Sequence, residues 1–111
     1  MVEIASTGAE IGECLILRFP NGNVAAGVAR AVSGDVVGLK VWFDQWEQIT
    51  LGEDALADDA AGIEKDYLLE SGCRVYRASR NELIPLLSPV NDIDDINEYL
   101  DGLIALEGVK D

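Results

Sequence analysis

The chain of 111 residues carries 21 acidic and 8 basic side chains and no histidine, giving a formal net charge of −13. This length fits one domain, residues 1–111, with a single hydrophobic core. The charge argues against direct binding to nucleic acid, whose phosphates are bound by lysine and arginine, and against attraction to an anionic membrane surface. The apolar runs are too short to cross a bilayer and the start of the chain lacks a secretion signal, so we expect a cytoplasmic protein.

Three apolar segments separated by turn signals predict an antiparallel meander. The first predicted strand is 11–19, where apolar residues alternate along the chain. Pro-Asn-Gly-Asn at 20–23 predicts a hairpin turn into a second strand at 24–32. Ser-Gly-Asp at 33–35 then turns the chain into a third strand at 36–43. We therefore expect these three strands to lie side by side in chain order.

The second half of the chain begins with a weaker pattern. Residues 52–62 contain few apolar anchors, which predicts a loop. Residues 63–70 and 73–78 flank a Ser-Gly turn signal at 71–72, which predicts a second hairpin. The sequence Ser-Arg-Asn-Glu at 79–82 has the spacing of a helix capping box.

A C-terminal amphipathic helix is predicted for residues 92–106. Its apolar stripe comprises Ile93, Ile96, Leu100, Leu103 and Ile104. An acidic row of Asp94, Glu98 and Asp101 lies on the opposite face. Together these elements predict an α+β fold: a small antiparallel sheet, made of the three-strand meander and the second hairpin, covered by this helix.

The residue types argue against an enzyme. Without histidine, neither a Ser-His-Asp nor a Cys-His nucleophile pair can form, and the sequence has no glycine-rich phosphate loop. The two cysteines, Cys14 and Cys73, are too few for a disulfide scaffold, and buried thiols are their simplest interpretation. We therefore expect a non-enzymatic protein without a cofactor.

Two acidic clusters raise the question of a calcium site. From Asp92, a calcium loop would need oxygen ligands at its first, third and fifth positions and glycine at the sixth. Asp94 fits the third position, but Ile96 stands at the fifth and Asn97 at the sixth. The other cluster, within 53–59, has no glycine framework around it. We expect no metal site.

The aromatic and acidic stretch after the third strand suggests a partner-binding surface. The two tryptophans there are either core residues or apolar anchors in an acidic rim, and Trp46 shares the Trp42 face if the strand continues through it. With the acidic row, the predicted partner-binding residues are Trp42, Asp44, Trp46, Glu47, Asp94, Glu98 and Asp101.

A small basic patch consists of Arg74, Arg77 and Arg80. One interpretation is that these arginines pair with the protein's own carboxylates. The alternative is that they bind a small anion or an acidic patch on a second subunit.

Our main functional hypothesis is a non-enzymatic acidic interaction protein that engages a basic site on a protein or nucleoprotein. Phage-encoded inhibitors, nucleic-acid mimics and toxin-immunity proteins share this size and acidity. The alternative is a structural or assembly module, such as a subunit of a homodimer or a virion component, whose acidity serves solubility. A third hypothesis is adaptation to a salty cytoplasm.

Overall fold

The fold is mostly antiparallel sheet. A computed structural model describes residues 2–5, 8–46, 49–50, 63–79, 81–83, 97–102 and 105. Across this part of the chain the sheet has seven strands, and α-helical backbone is found at 81–83, 97–102 and 105. The predicted α+β class is therefore wrong. No long helix covers the sheet in the described residues, none there could span a membrane, and the remainder of 92–106 lies outside them.

The strands hold just over half of the residues that the structure describes. Their bounds are β1 Val2–Ile4, β2 Cys14–Arg18, β3 Val24–Ser33, β4 Val36–Asp44, β5 Ile49–Thr50, β6 Ile63–Leu68 and β7 Arg74–Arg77. Their spatial order is β1-β7-β2-β3-β4-β5, and β6 also pairs with β4. Every pairing is antiparallel.

The predicted meander is confirmed, because β2, β3 and β4 are neighbours in chain order. The turn between β2 and β3 contains Gly22 at a φ of 89°, a conformation that glycine adopts without steric cost. Beside it, the Asn21 side chain accepts a hydrogen bond from the Asn23 amide at 2.9 Å. The first strand begins three residues later than predicted, since residues 11–12 form a turn.

The predicted second hairpin is wrong in its pairing. Both strands form, and the turn at 71–72 is present. However, β6 pairs with β4, with Lys65 opposite Leu39, whereas β7 pairs with β2, with Val75 opposite Leu17. An isolated two-stranded hairpin is marginal in water. Instead of pairing with each other, β6 extends the meander at β4 and β7 extends it at β2.

The separation of β6 and β7 requires a strongly curled sheet. Only residues 69–73 connect the two strands, although the three strands of the meander lie between them in the sheet order. Tyr67 of β6 and Val75 of β7 nevertheless belong to one hydrophobic cluster. This inner cluster comprises Leu15, Leu17, Phe19, Ala25, Ala29, Val37, Leu39, Val41, Tyr67 and Val75. The sheet thus folds around a core to which β2, β3, β4, β6 and β7 contribute side chains.

A second cluster lies on the other face of the sheet. This outer cluster comprises Ile16, Val24, Ala26, Trp42, Phe43, Tyr76, Ala78, Leu83 and Leu100. Its last two members come from the helical segments at 81–83 and 97–102, which cover this face in the described part of the chain. The apolar residues of β2 are buried on both faces of the strand.

A β-bulge sets the direction of the β4 aromatic side chains. Ala26 pairs with Phe43 and Gly27 with Val41, which leaves Trp42 as the extra residue on β4. A bulge interrupts the alternation of a strand. Trp42 and Phe43 therefore both join the outer cluster, although simple alternation places them on opposite faces.

The predicted capping box is present at the first helical segment. The Ser79 hydroxyl accepts a hydrogen bond from the Glu82 amide at 3.3 Å, and the Glu82 carboxylate accepts one from the Ser79 amide at 3.1 Å. These reciprocal bonds hold the chain as it leaves the sheet and place Leu83 in the outer cluster.

Candidate functional site

A buried carboxylate organises the end of β4. The Asp44 side chain is 0% exposed. Its Oδ1 accepts a hydrogen bond from the Trp46 amide at 2.8 Å, and its Oδ2 accepts bonds from Lys65 Nζ at 3.0 Å and from the Tyr67 hydroxyl. A buried carboxylate is tolerated only when it is paired and hydrogen-bonded. Asp44 meets both conditions.

The burial of Asp44 corrects its predicted place in an acidic rim. β6 lies beside β4 and brings Lys65 and Tyr67 to the carboxylate. These two residues are two positions apart on β6 and so share one face of the strand. Asp44 cannot contact a partner directly. It acts instead as the anchor of the turn that carries Trp46.

Trp46 is the exposed member of an aromatic cluster. Its side chain is 44% exposed. Its ring meets Phe19 edge-to-face, with centroids 4.6 Å apart and planes at 80°, and lies 6.3 Å from the ring of Tyr67. Lys65 Nζ lies 5.9 Å from the Trp46 ring centroid and 5.2 Å from that of Tyr67, within cation–π range. The indole thus contacts two neighbouring rings while nearly half of its side chain stays exposed.

The two tryptophans lie on opposite faces of the sheet. Trp42 is 1% exposed and belongs to the outer cluster, whereas Trp46 contacts Phe19 of the inner cluster. β4 ends at Asp44 and a turn follows, so the condition for Trp46 to share the Trp42 face is not met. Trp42 is a core residue and is not available to a partner.

The two described residues of the acidic row lie on the face of the sheet opposite Trp46. Glu98 and Asp101 are both exposed on the helical segment 97–102, which places Leu100 in the outer cluster. Asp101 Oδ1 lies 2.7 Å from Arg18 Nη1, so that carboxylate ties the segment to β2. Two further predicted residues, Glu47 and Asp94, lie outside the described residues.

A cleft of about 370 Å³ opens beside Trp46. It is lined by Phe19, Asn21, Trp46, Lys65, Asp66, Tyr67, Leu68 and Glu70. Only Trp46 among these residues was predicted for the partner-binding surface. Phe19 and Asn21 lie before and within the β2–β3 turn, and the remaining five residues lie on or just after β6. Their convergence depends on the pairing of β6 with β4, which the sequence pattern did not indicate.

The arginines of the small basic patch pair with the protein's own acids. Arg74 Nε lies 3.4 Å from a Glu3 carboxylate oxygen. Arg77 forms a two-pronged interaction with Glu13, through Nε and through Nη2 at 3.2 Å. The Arg77 hydrogen bond is the main cause of a lowered pKa at Glu13. This confirms the internal-pairing interpretation for two of the three arginines, and Arg80 lies outside the described residues.

Cys14 and Cys73 are half-buried and form no disulfide bond. Burial, reinforced by the nearby Glu70 carboxylate, raises the pKa of Cys73 to about 11. Little thiolate therefore exists at neutral pH, which makes this sulfur a poor nucleophile and a poor metal ligand. Among the described residues, no group of three or more cysteine and acidic side chains could hold a metal ion. The acidic clusters at 53–59 and 92–95 lie outside that part of the chain.

The exposed side chains around the cleft have the chemistry of a contact surface. Trp46 offers an indole face, Leu68 an apolar side chain that is 65% exposed, and Glu70 an exposed carboxylate. This is the mixture of a rigid aromatic anchor and a polar rim that protein interfaces favour. Comparison of the chain with protein-family models, curated proteins and solved structures gives no match.

Proposed function

We propose that this chain is a non-enzymatic acidic interaction protein that engages a basic site on a partner protein or nucleoprotein, in the manner of an inhibitor, an immunity protein or a nucleic-acid mimic. The observation that carries this proposal is the fixed and exposed position of Trp46. Phe19 supports one side of the ring and Asp44 holds the Trp46 amide, while 44% of the side chain stays exposed. An aromatic ring that is already ordered loses little conformational entropy on binding.

The charge of the chain defines the class of partner. A net charge of −13 attracts positively charged surfaces and repels nucleic acid and anionic membranes. Surface charges act mainly on the rate of encounter, and salt screens them over about 8 Å at physiological ionic strength. We therefore propose a basic macromolecular partner met in the cytoplasm, with association driven by charge and dissociation limited by the aromatic anchor.

The variant Trp46→Ala is expected to leave association nearly unchanged and to speed dissociation by tenfold or more, since central tryptophans contribute about 2 kcal/mol or more to binding. The partner is first isolated by affinity capture from the native host, using the parent chain and Trp46→Ala as paired baits. Surface plasmon resonance at two salt concentrations then separates the two rates. Higher salt is expected to slow the association of the parent chain and of Trp46→Ala alike.

Ile11→Ala is the matched control, because Ile11 is an exposed apolar side chain in the turn before β2. It should bind like the parent. The proposal fails if Trp46→Ala and Ile11→Ala dissociate at the parent's rate, or if the captured partner is acidic and binds independently of salt.

A second candidate function, the assembly module, is favoured by the edge of the sheet at β6. Within the described residues this strand pairs only with β4, and its apolar residues Ile63 and Leu68 are exposed. Leu68 also lies opposite the exposed Val36. Edge strands of this kind can pair with a second copy. Sedimentation over a range of concentrations tests it: a dimer that Ile63→Lys dissociates supports the assembly module, whereas a monomer at all concentrations excludes it.

A further inference from the structure

We propose that the cleft beside Trp46 binds an arginine side chain of the partner, with its guanidinium stacked on the exposed part of the indole and its charge balanced by Glu70. This inference rests on the proposed function and specifies which part of a basic partner is recognised. It places the specific contact in the cleft rather than on the acidic row of the helical segment.

The aromatic walls of the cleft already hold a cation. The Lys65 ammonium lies within 5.9 Å of the centroids of two rings, those of Trp46 and Tyr67. Its positive charge is compensated by the buried Asp44 carboxylate at 3.0 Å. Lys65 and Asp44 together therefore add no net charge to the cleft. They show that these ring faces accept a cation at this place.

The cleft has a negative charge besides the neutral pair of Lys65 and Asp44. The other two charged residues in its lining are Asp66 and Glu70, both acidic and both exposed. Because the whole chain is also strongly acidic, the potential in the cleft favours a positively charged group. A cationic side chain that enters here gains both an aromatic face and a carboxylate.

The shape of the cleft favours arginine over lysine. A guanidinium is flat, stacks on an aromatic face, and is less strongly hydrated than an ammonium. Its aliphatic stem can lie along Leu68, which is exposed at the cleft. A volume of about 370 Å³ holds one such side chain with adjoining backbone, at the lower end of the range for binding pockets. The cleft therefore suits one arginine presented by an extended segment.

The experiment uses the two indole N–H signals of the isotope-labelled full chain in two-dimensional NMR. Three capped peptides serve as probes: a glycine–arginine repeat, the same repeat with neutral citrulline, and the same repeat with lysine. The arginine peptide is expected to shift the Trp46 indole signal in a saturable way, with Kd lower than that of the lysine peptide by threefold or more. The citrulline peptide should have no effect. The buried Trp42 indole is the internal control and should not move.

Two variants with the same change in charge locate the site. Glu70→Gln removes a carboxylate at the cleft and should raise the Kd of the arginine peptide about two- to fivefold, the range for an exposed ion pair. Glu98→Gln removes an exposed carboxylate on the helical segment and should leave Kd unchanged. Trp46→Leu should weaken binding by tenfold or more, followed through the backbone amides of β6.

The outcomes separate this inference from the proposed function. Equal shifts with arginine and citrulline would overturn recognition of a cation. If the arginine peptide shifts signals around Glu98 but not the Trp46 indole signal, the cleft is not the site, while a basic partner remains supported. If no peptide shifts Trp46 but the captured partner is lost on Trp46→Ala, the arginine inference fails and the proposed function stands. If that partner is also unaffected, both fail.

Discussion

Asp44→Asn is expected to lower the free energy of unfolding by about 3 kcal/mol, the lower end of the range for breaking a buried charge pair. Three donors converge on the Asp44 carboxylate: the Trp46 amide, the Lys65 ammonium and the Tyr67 hydroxyl. Asparagine keeps the size of the side chain but offers one acceptor oxygen and no charge, so at least one of these donors faces an amide NH₂. The Lys65 side chain is 32% exposed and can turn partly to water, which limits the loss. Urea unfolding followed by circular dichroism measures it.

The matched control for this prediction is Asp35→Asn, the same chemical change at an exposed residue in the β3–β4 turn. It is expected to change stability by less than about 0.5 kcal/mol. A second measurement connects stability to the site: in folded Asp44→Asn, the fluorescence anisotropy of Trp46 should fall, because one amide oxygen cannot accept from the Trp46 amide, Lys65 and Tyr67 together and so holds the turn less firmly. If Asp44→Asn is as stable as Asp35→Asn, the carboxylate does not anchor this end of β4.

The meander could be predicted because its determinants are local. Each turn signal lies within four residues, and the alternation in β2 directly reports which side chains face the inner cluster. The strands β6 and β7 were also predicted, as the two segments that flank the Ser-Gly turn signal at 71–72. Their pairing was not, because it depends on which strand edges remain open after the meander has formed. A turn at 71–72 is compatible with either arrangement.

The α+β prediction failed for a different reason. Helical spacing over 92–106 indicates which residues would share a face if a helix formed, but it does not set the length of the helix. Gly102 weakens a helix by about 1 kcal/mol relative to alanine. In the described residues, Leu83 and Leu100 from two short segments are buried against the outer face. Coverage of that face therefore does not require a long helix.

The candidate site was predictable only in its exposed residue. Trp46 stood out as an aromatic residue among carboxylates. Asp44 was predicted beside it as part of an acidic rim, because nothing in the sequence marks this carboxylate as buried. What buries it are Lys65 and Tyr67, which lie 21 and 23 residues further along the chain. The β-bulge at Trp42 likewise results from the pairing of β3 with β4. Both features are tertiary, and a single sequence carries no local signal for them.

The second large effect is expected at the same β3–β4 pair. Gly27→Ala should lower the free energy of unfolding by about 3 kcal/mol, the upper part of the usual range for overpacking. A Cβ at Gly27 would lie 2.3 Å from the Lys40 carbonyl oxygen and 3.1 Å from the Val41 Cα. These are backbone atoms of the neighbouring strand, so no side-chain rotation can relieve the overlap. The two strands must move apart at the bulge that directs Trp42 and Phe43 into the outer cluster.

Gly102→Ala is the matched control for Gly27→Ala, because it adds the same methyl group where nothing lies within 4 Å. Gly102 is exposed and in helical backbone, so alanine there should raise stability by about 0.5–1 kcal/mol. Urea unfolding of the two variants should therefore give changes of opposite sign. In Gly27→Ala the fluorescence of the buried Trp42 should also shift toward that of a more exposed indole, because the separation of β3 from β4 opens the outer cluster. Equal stability of Gly27→Ala and the parent, with unchanged Trp42 emission, would contradict the close approach of these strands as the reason for glycine at position 27.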